Sequence, residues 1–163
     1  MQATLSMTHL VRSHAAWHNF DYQSAVEWAM DLIRNRTESE NILILASLEP
    51  RADFYETRKY TSAALRDLGL AEYNTDDGIK IQIQWHVERI LCTDDIKRHV
   101  DQLREMYLTL REQYDISPFE YLSYAWETPA EFSPIEKSKI PGEARKEARA
   151  WLEKCAISVD DPG

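Results

Sequence analysis

Two histidines near the N-terminus have the spacing of a metal-binding pair. His14 and His18 are four residues apart, so a helix through this segment would place both imidazole rings on one side. The zinc-protease motif also needs a glutamate directly after the first histidine, where this chain has Ala15. The pair is kept as a metal candidate, but we favour two surface or half-buried imidazoles and expect no metal or other cofactor.

Adjacent carboxylates occur twice and have structural explanations. Asp76-Asp77 precedes a glycine in a sequence typical of a turn. Asp94-Asp95 precedes a helical pattern, where negative charge complements the helix dipole. Neither pair is expected to be an acid/base site.

The remaining reactive residue types form no catalytic signature. Cys92 and His86 are six residues apart without a visible activating partner, which favours a buried, inert thiol. The chain has no glycine-rich phosphate loop and no nucleophile elbow. An enzyme with an unrecognised site stays open, because catalytic residues converge in space rather than in sequence, but a non-catalytic protein is favoured.

The segment Glu112–Glu136 is the longest stretch with charge of one sign. It carries six carboxylates, no lysine or arginine, and six interleaved aromatic residues. Helical phasing makes most of these aromatics core, with carboxylates at the solvated edge. It leaves a stripe of Glu120, Ser123 and Glu127 with bordering tyrosines as a surface for a basic protein partner. The predicted partner-binding residues are Glu120, Tyr121, Ser123, Tyr124, Glu127 and Glu131.

Length and charge limit the class of protein. A chain of 163 residues fits one domain, which we place at residues 1–157 with a frayed tail at 158–163. The net charge of −9 opposes binding to nucleic acid or an anionic membrane. The sequence has no signal-like or membrane-spanning apolar run, so a cytoplasmic protein is expected. The oligomeric state stays open.

Apolar spacing and scarce glycine predict an all-α bundle of about seven to eight helices. Asp21, Ser39 and Asp53 are predicted N-caps. Gly69 is the predicted left-handed residue after a helix from Phe54 to Leu68. Further predicted signals are a helix stop at Pro50, a cap at Thr93 or Asp94, and a Ser117 cap followed by Pro118.

Residues 70–85 are compatible with two structures. Ile79, Ile81, Ile83 and Trp85 alternate with polar residues as in a strand. A longer helical pattern continues to Leu91, so we favour a helix and keep a short hairpin as the alternative. The hairpin would be the wing of a winged-helix DNA-binding regulator. Its recognition helix would carry Arg58, Lys59 and Arg66, although the acidic wing tip opposes phosphate binding.

A resemblance covers about half of the chain. It resembles a segment that recurs in small uncharacterised bacterial all-helical proteins, through Trp28-Ala29, Leu32, Ser39, Leu43, Leu45-Ala46, Leu48, Glu56, Tyr60, Ala64-Leu65 and Leu68-Gly69-Leu70. Such proteins are similar in size and charge to immunity proteins of bacterial toxin systems. The resemblance implies a helical fold and a binding function, such as neutralising a basic, nuclease-like toxin, with no catalytic residues.

Overall fold

A computed structural model describes residues 4–49 and 52–159. These residues form eight α-helices and no strand, which confirms the all-α prediction. The helices are α1 (Met7–Arg12), α2 (Tyr22–Arg34), α3 (Glu40–Ser47), α4 (Phe54–Asp67), α5 (Thr75–Cys92), α6 (Ile96–Leu110), α7 (Ser117–Glu127) and α8 (Ile140–Cys155). Short 3-10 turns lie at His14–Ala16, Arg111–Tyr114 and Lys137–Lys139.

Several helix ends lie where the sequence predicts them. Asp21, Ser39 and Asp53 each accept a backbone N–H from the next turn, at 3.1, 3.2 and 2.9 Å. Gly69 has φ +68°, the left-handed conformation that terminates α4. These signals act within a few residues, so tertiary packing does not override them.

Two predicted caps are wrong by one or two residues. The residue before α6 is Asp95 rather than Thr93 or Asp94. The residue before α7 is Ile116, and Ser117 is already helical with Pro118 beside it. The stop predicted at Pro50 lies outside the described residues.

Contacts group the described residues into two compact units, the first of residues 5–49, 52–82 and 159 and the second of residues 4 and 83–158. In the first unit, α2 packs on α1, α3 and α4, and α3 packs on α4. Leu10, Val11 and Trp17 of the N-terminal segment are buried. Other core side chains of this unit include Phe20, Trp28, Ile42, Leu45 and Leu65.

In the second unit, α6, α7 and α8 pack on one another. The indole N–H of Trp151 donates to the Tyr114 carbonyl at 3.0 Å, which ties α8 to the turn before α7. The predicted tail is non-helical at Ser158 and Val159, and residues 160–163 lie outside the described residues. The expectation of one domain over residues 1–157 stays a prediction.

Helix α5 replaces the alternative hairpin, and its burial explains the ambiguous pattern. Ile79, Ile81, Ile83 and Trp85 are buried although they cannot share one helical face. The intervening Gln82 and Gln84 are buried as well. A helix buried on all sides loses the amphipathic period, so alternation along it is not evidence for a strand.

The polar side chains inside α5 are satisfied by hydrogen bonds. Gln82 Nε2 donates to the Ser13 carbonyl at 2.9 Å. Gln84 Nε2 donates to the Glu88 carboxylate at 3.0 Å, and Gln84 Oε1 accepts the Ile157 N–H at 2.8 Å. Burial of these groups is therefore compatible with a stable fold.

Candidate functional site

The acidic and aromatic segment is divided between core and solvent. Phe119 is fully buried, and Tyr114 and Trp126 are half-buried. Tyr121, Tyr124 and Phe132 instead expose 46%, 56% and 74% of their surface. Three of the six aromatic residues are therefore exposed, and the prediction that most of them belong to the core is wrong.

The exposed residues of α7 occupy one continuous arc. At about 100° per residue, Glu127, Glu120, Tyr124 and Tyr121 follow one another over about 120° of the helix circumference. We call these four residues, with Glu131 and Phe132 of the following loop, the α7 surface. Glu120 is half-buried, and the others are exposed.

Ser123 does not belong to this surface, which corrects the predicted stripe. Its side chain is fully buried, and its hydroxyl donates to Asp101 of α6 at 2.8 Å. Lys97 of α6 donates to Asp101 at 2.7 Å and to Glu127 at 2.5 Å. Both hydrogen bonds raise the pKa of Lys97. The edge of α7 that carries Ser123 and Glu127 therefore faces α6.

Lysines from outside the segment neutralise part of its charge. Besides the Lys97–Glu127 pair, Lys154 pairs with Asp115 at 3.0 Å and Lys139 with Glu136 at 3.2 Å. The stretch itself contains no cation, but lysines of α6, of α8 and of the 3-10 turn at Lys137–Lys139 pair with three of its six carboxylates. The stretch is therefore less acidic in space than in sequence.

Two carboxylates of the α7 surface have no neutralising cation among the described residues. Glu120 and Glu131 form no ion pair with any residue of 4–49 or 52–159. Near Glu120, the Tyr107 hydroxyl donates to Glu112 at 3.0 Å. The Glu112 hydrogen bond, together with the negative charge of Glu120, raises the pKa of Tyr107. A negative field thus borders Tyr121 and Tyr124.

Phe132 is the residue of this surface that the sequence reasoning missed. It lies in the loop between α7 and α8, where Ser133 donates to the Ala125 carbonyl at 3.1 Å and fixes the loop against α7. The sequence signal for its exposure is its position between Pro129 and Pro134, because a proline-rich segment is typical of a loop and loops lie on the protein surface.

A second polar cluster surrounds His14, which is buried. His14 Nδ1 lies 3.0 Å from the Tyr22 hydroxyl and His14 Nε2 lies 2.9 Å from Glu72. Ser62 donates to the same Glu72 oxygen at 2.5 Å. Burial lowers the pKa of His14 against the opposing effect of Glu72. Burial opposes ionisation of Glu72, but hydrogen bonds from Ser62 and His14 outweigh it and lower the Glu72 pKa.

This cluster lacks the geometry of a catalytic triad. A carboxylate only accepts, so Nε2 of neutral His14 carries the proton and donates it to Glu72. The hydroxyl of Ser62 donates to Glu72 too, so His14 cannot take its proton. Burial raises the pKa of Tyr22 to about 12, which makes it a poor acid. The cluster ties the 3-10 turn at His14–Ala16 to Tyr22 of α2 and Ser62 of α4.

The histidine pair predicted as a metal candidate is not brought together by a helix. Helix α1 ends at Arg12 and a 3-10 turn covers His14–Ala16, so the i, i+4 geometry is lost. His14 is buried in its cluster, whereas exposed His18 packs beside Trp17 with ring centroids 4.5 Å apart. Within residues 4–49 and 52–159, no three His, Cys, Asp or Glu side chains gather as metal ligands.

Two other sequence interpretations are wrong. The thiol of Cys92 is exposed rather than buried. The wing of the DNA-binding alternative does not exist, since residues 75–92 are helical. Arg58 of the proposed recognition helix also lies close enough to Glu72 and Tyr22 to affect their pKa values.

Two clefts of the described surface are small. One cleft of about 210 Å³ lies beside Tyr22 and Phe54 in the first unit. Another of about 200 Å³ lies beside Trp151 and Cys155 in the second. Pockets for drug-sized ligands hold about 300–1,000 Å³. The exposed α7 surface is thus a more prominent feature than either cleft.

Comparison with known proteins finds no match to this chain among family models, curated proteins or solved structures. No helix in the described part of the chain is both long and apolar enough to cross a membrane.

Proposed function

We propose that this protein is a non-catalytic binding module whose α7 surface contacts a basic protein partner. The observation that carries the proposal is the exposure of three aromatic side chains, Tyr121, Tyr124 and Phe132, around one helix end. Folding normally buries rings of this size, and tyrosine is enriched among the residues that dominate binding energy. Their exposure is useful to a protein that buries them against a partner.

Charge supports a basic partner. Glu120 and Glu131 border the aromatic residues, and the chain carries a net charge of −9. Such a field accelerates encounter with a cationic protein and disfavours acidic ones. Glu127 contributes less, because Lys97 already neutralises it.

The more specific form of the proposal is an immunity-like protein that covers a basic toxin, such as a nuclease. It is supported by the acidic charge, the all-helical fold and the resemblance of residues 28–70 to small bacterial helical proteins. A gene for a basic toxin directly beside this one would add independent support.

The test compares immobilised variants as baits in a lysate of the source organism. Glu120→Lys with Glu131→Lys reverses charge at the α7 surface. Glu27→Lys with Glu38→Lys makes the same change in net charge at exposed positions of the other unit. Circular dichroism first establishes that each bait keeps its helicity.

We expect a basic protein that the wild type and the Glu27/Glu38 variant retain and the Glu120/Glu131 variant loses. Equal retention by all three baits would contradict the proposed surface. If both double variants fail to retain the basic protein, net charge alone determines its binding, and the α7 surface does not.

A further inference from the structure

Two histidines from different helices meet in the second unit. His86 of α5 and His99 of α6 have their Nδ1 atoms 3.0 Å apart, with ring centroids at 5.3 Å and an angle of 46° between the rings. Because Nδ1 faces Nδ1, one neutral ring must donate and the other accept. When both rings carry their proton on Nε2 instead, both Nδ1 lone pairs are available to an ion bound beside the line that joins the two nitrogens.

The separation matches a chelate. A transition metal binds imidazole nitrogen at about 2.0–2.1 Å. With two metal–nitrogen bonds of about 2.05 Å, nitrogens that lie 3.0 Å apart make an N–metal–N angle of about 94°. That is close to the right angle of tetragonal Cu²⁺ or Ni²⁺ sites. Tetrahedral zinc would require the rings to open by about 0.3 Å.

The surroundings keep both ligands in the binding form. Burial, then the charges of His99 and Arg98, lower the pKa of His86 to about 3. Burial and then Arg98 lower the pKa of His99 to about 4. Metal binding needs neutral imidazole, so protons do not compete near neutral pH.

Charges near the pair act in both directions. Arg89 and Arg98 repel a cation, whereas Asp95 attracts one. Asp95 precedes α6, one helical turn before His99, and its side chain makes no capping hydrogen bond. The described residues provide no third ligand at the pair, so water would complete the coordination sphere.

We propose that His86 and His99 form a two-histidine site for a divalent late transition metal. Copper is expected to bind most tightly, followed by nickel, in the order that nitrogen ligands impose. Bound metal would cross-link α5 and α6, and α6 also carries Lys97, which pairs with Glu127 of the α7 surface.

The test titrates the 163-residue protein with CuCl₂ and NiCl₂ by calorimetry and electron paramagnetic resonance. We expect one equivalent of Cu²⁺ with two nitrogen couplings, weaker binding of Ni²⁺, and a higher Tm when metal is bound. His99→Gln should weaken copper binding by at least tenfold, while His18→Gln, at an exposed histidine, should leave it unchanged.

Binding that survives His99→Gln at full strength, or no binding to the wild type, would overturn the site. If the variant does not fold, paramagnetic broadening by Cu²⁺ in the wild-type amide spectrum decides the question. Broadening centred on α5 and α6 near the pair supports the site, and broadening centred on His18 or the N-terminus refutes it.

Discussion

Gly78 lies at the end of the first turn of α5, against the 3-10 turn at residues 14–16. A Cβ atom at position 78 would lie 2.5 Å from the Cβ of Ala16. Carbon atoms in contact are about 3.5–4.0 Å apart, so the shortfall is about 1–1.5 Å. Neither carbon can rotate away, because each is fixed to its backbone. Gly78→Ala must therefore displace the turn or the helix.

The expected cost follows from two opposing terms. Overpacking of this kind costs about 1–3 kcal/mol. Alanine regains about 1 kcal/mol over glycine in a helix. Gly142→Ala isolates the second term, since nothing lies within 4 Å of a Cβ there. We expect Gly142→Ala to be neutral or stabilising, and Gly78→Ala to be less stable than Gly142→Ala by about 1–3 kcal/mol.

Urea unfolding followed by circular dichroism measures both changes in the free energy of unfolding. Adding Ala16→Gly to Gly78→Ala removes the contact, so the double variant should show a coupling energy of about 1 kcal/mol or more. If Gly78→Ala is as stable as Gly142→Ala, the packing of α5 on the 3-10 turn is not as described.

Three further variants test separate contacts. Burial lowers the pKa of His14 in the folded protein, so the contribution of neutral His14 to stability is complete above the unfolded pKa of 6.5 and is lost as pH falls. The unfolding free energy of His14→Gln should therefore change less between pH 7.5 and 5.5 than that of the wild type. Equal changes in the two proteins would contradict this. Glu72 does not interfere, since its unfolded value is 4.5. Glu88 is buried and accepts hydrogen bonds from Thr4, so Glu88→Ala should lower the unfolding free energy by about 1–3 kcal/mol, and no change would refute a structural role. Gly69→Ala should lower it by about 1 kcal/mol because of the positive φ, and a more stable variant would contradict that conformation.

Local features of this fold follow from the sequence. The cap residues Asp21, Ser39 and Asp53 and the left-handed Gly69 depend on hydrogen bonds and backbone angles within a single turn. Neighbouring residues alone determine these interactions, so they can be predicted without tertiary structure.

The composition of the α7 surface could be predicted only in part. Helical phasing places Glu120, Ser123 and Glu127 on one stripe, but it does not show which edge of the stripe meets α6. Buried Ser123 donates to Asp101, and Glu127 pairs with Lys97. Both partners lie more than twenty residues earlier in the chain. Contacts between helices decide exposure here, and the sequence period does not contain them.

The most direct test of the proposed binding function compares the affinity of the captured partner for the wild type, a double tyrosine variant and a single tyrosine variant. Tyr121→Ala with Tyr124→Ala removes the exposed tyrosines of the α7 surface. Tyr55→Ala removes a tyrosine that is 77% exposed on α4. Calorimetry should show Kd at least about 30-fold weaker for the first variant, since interface anchors contribute about 2 kcal/mol or more. Tyr55→Ala should leave Kd unchanged. A Kd that Tyr121→Ala with Tyr124→Ala does not alter would contradict the central claim.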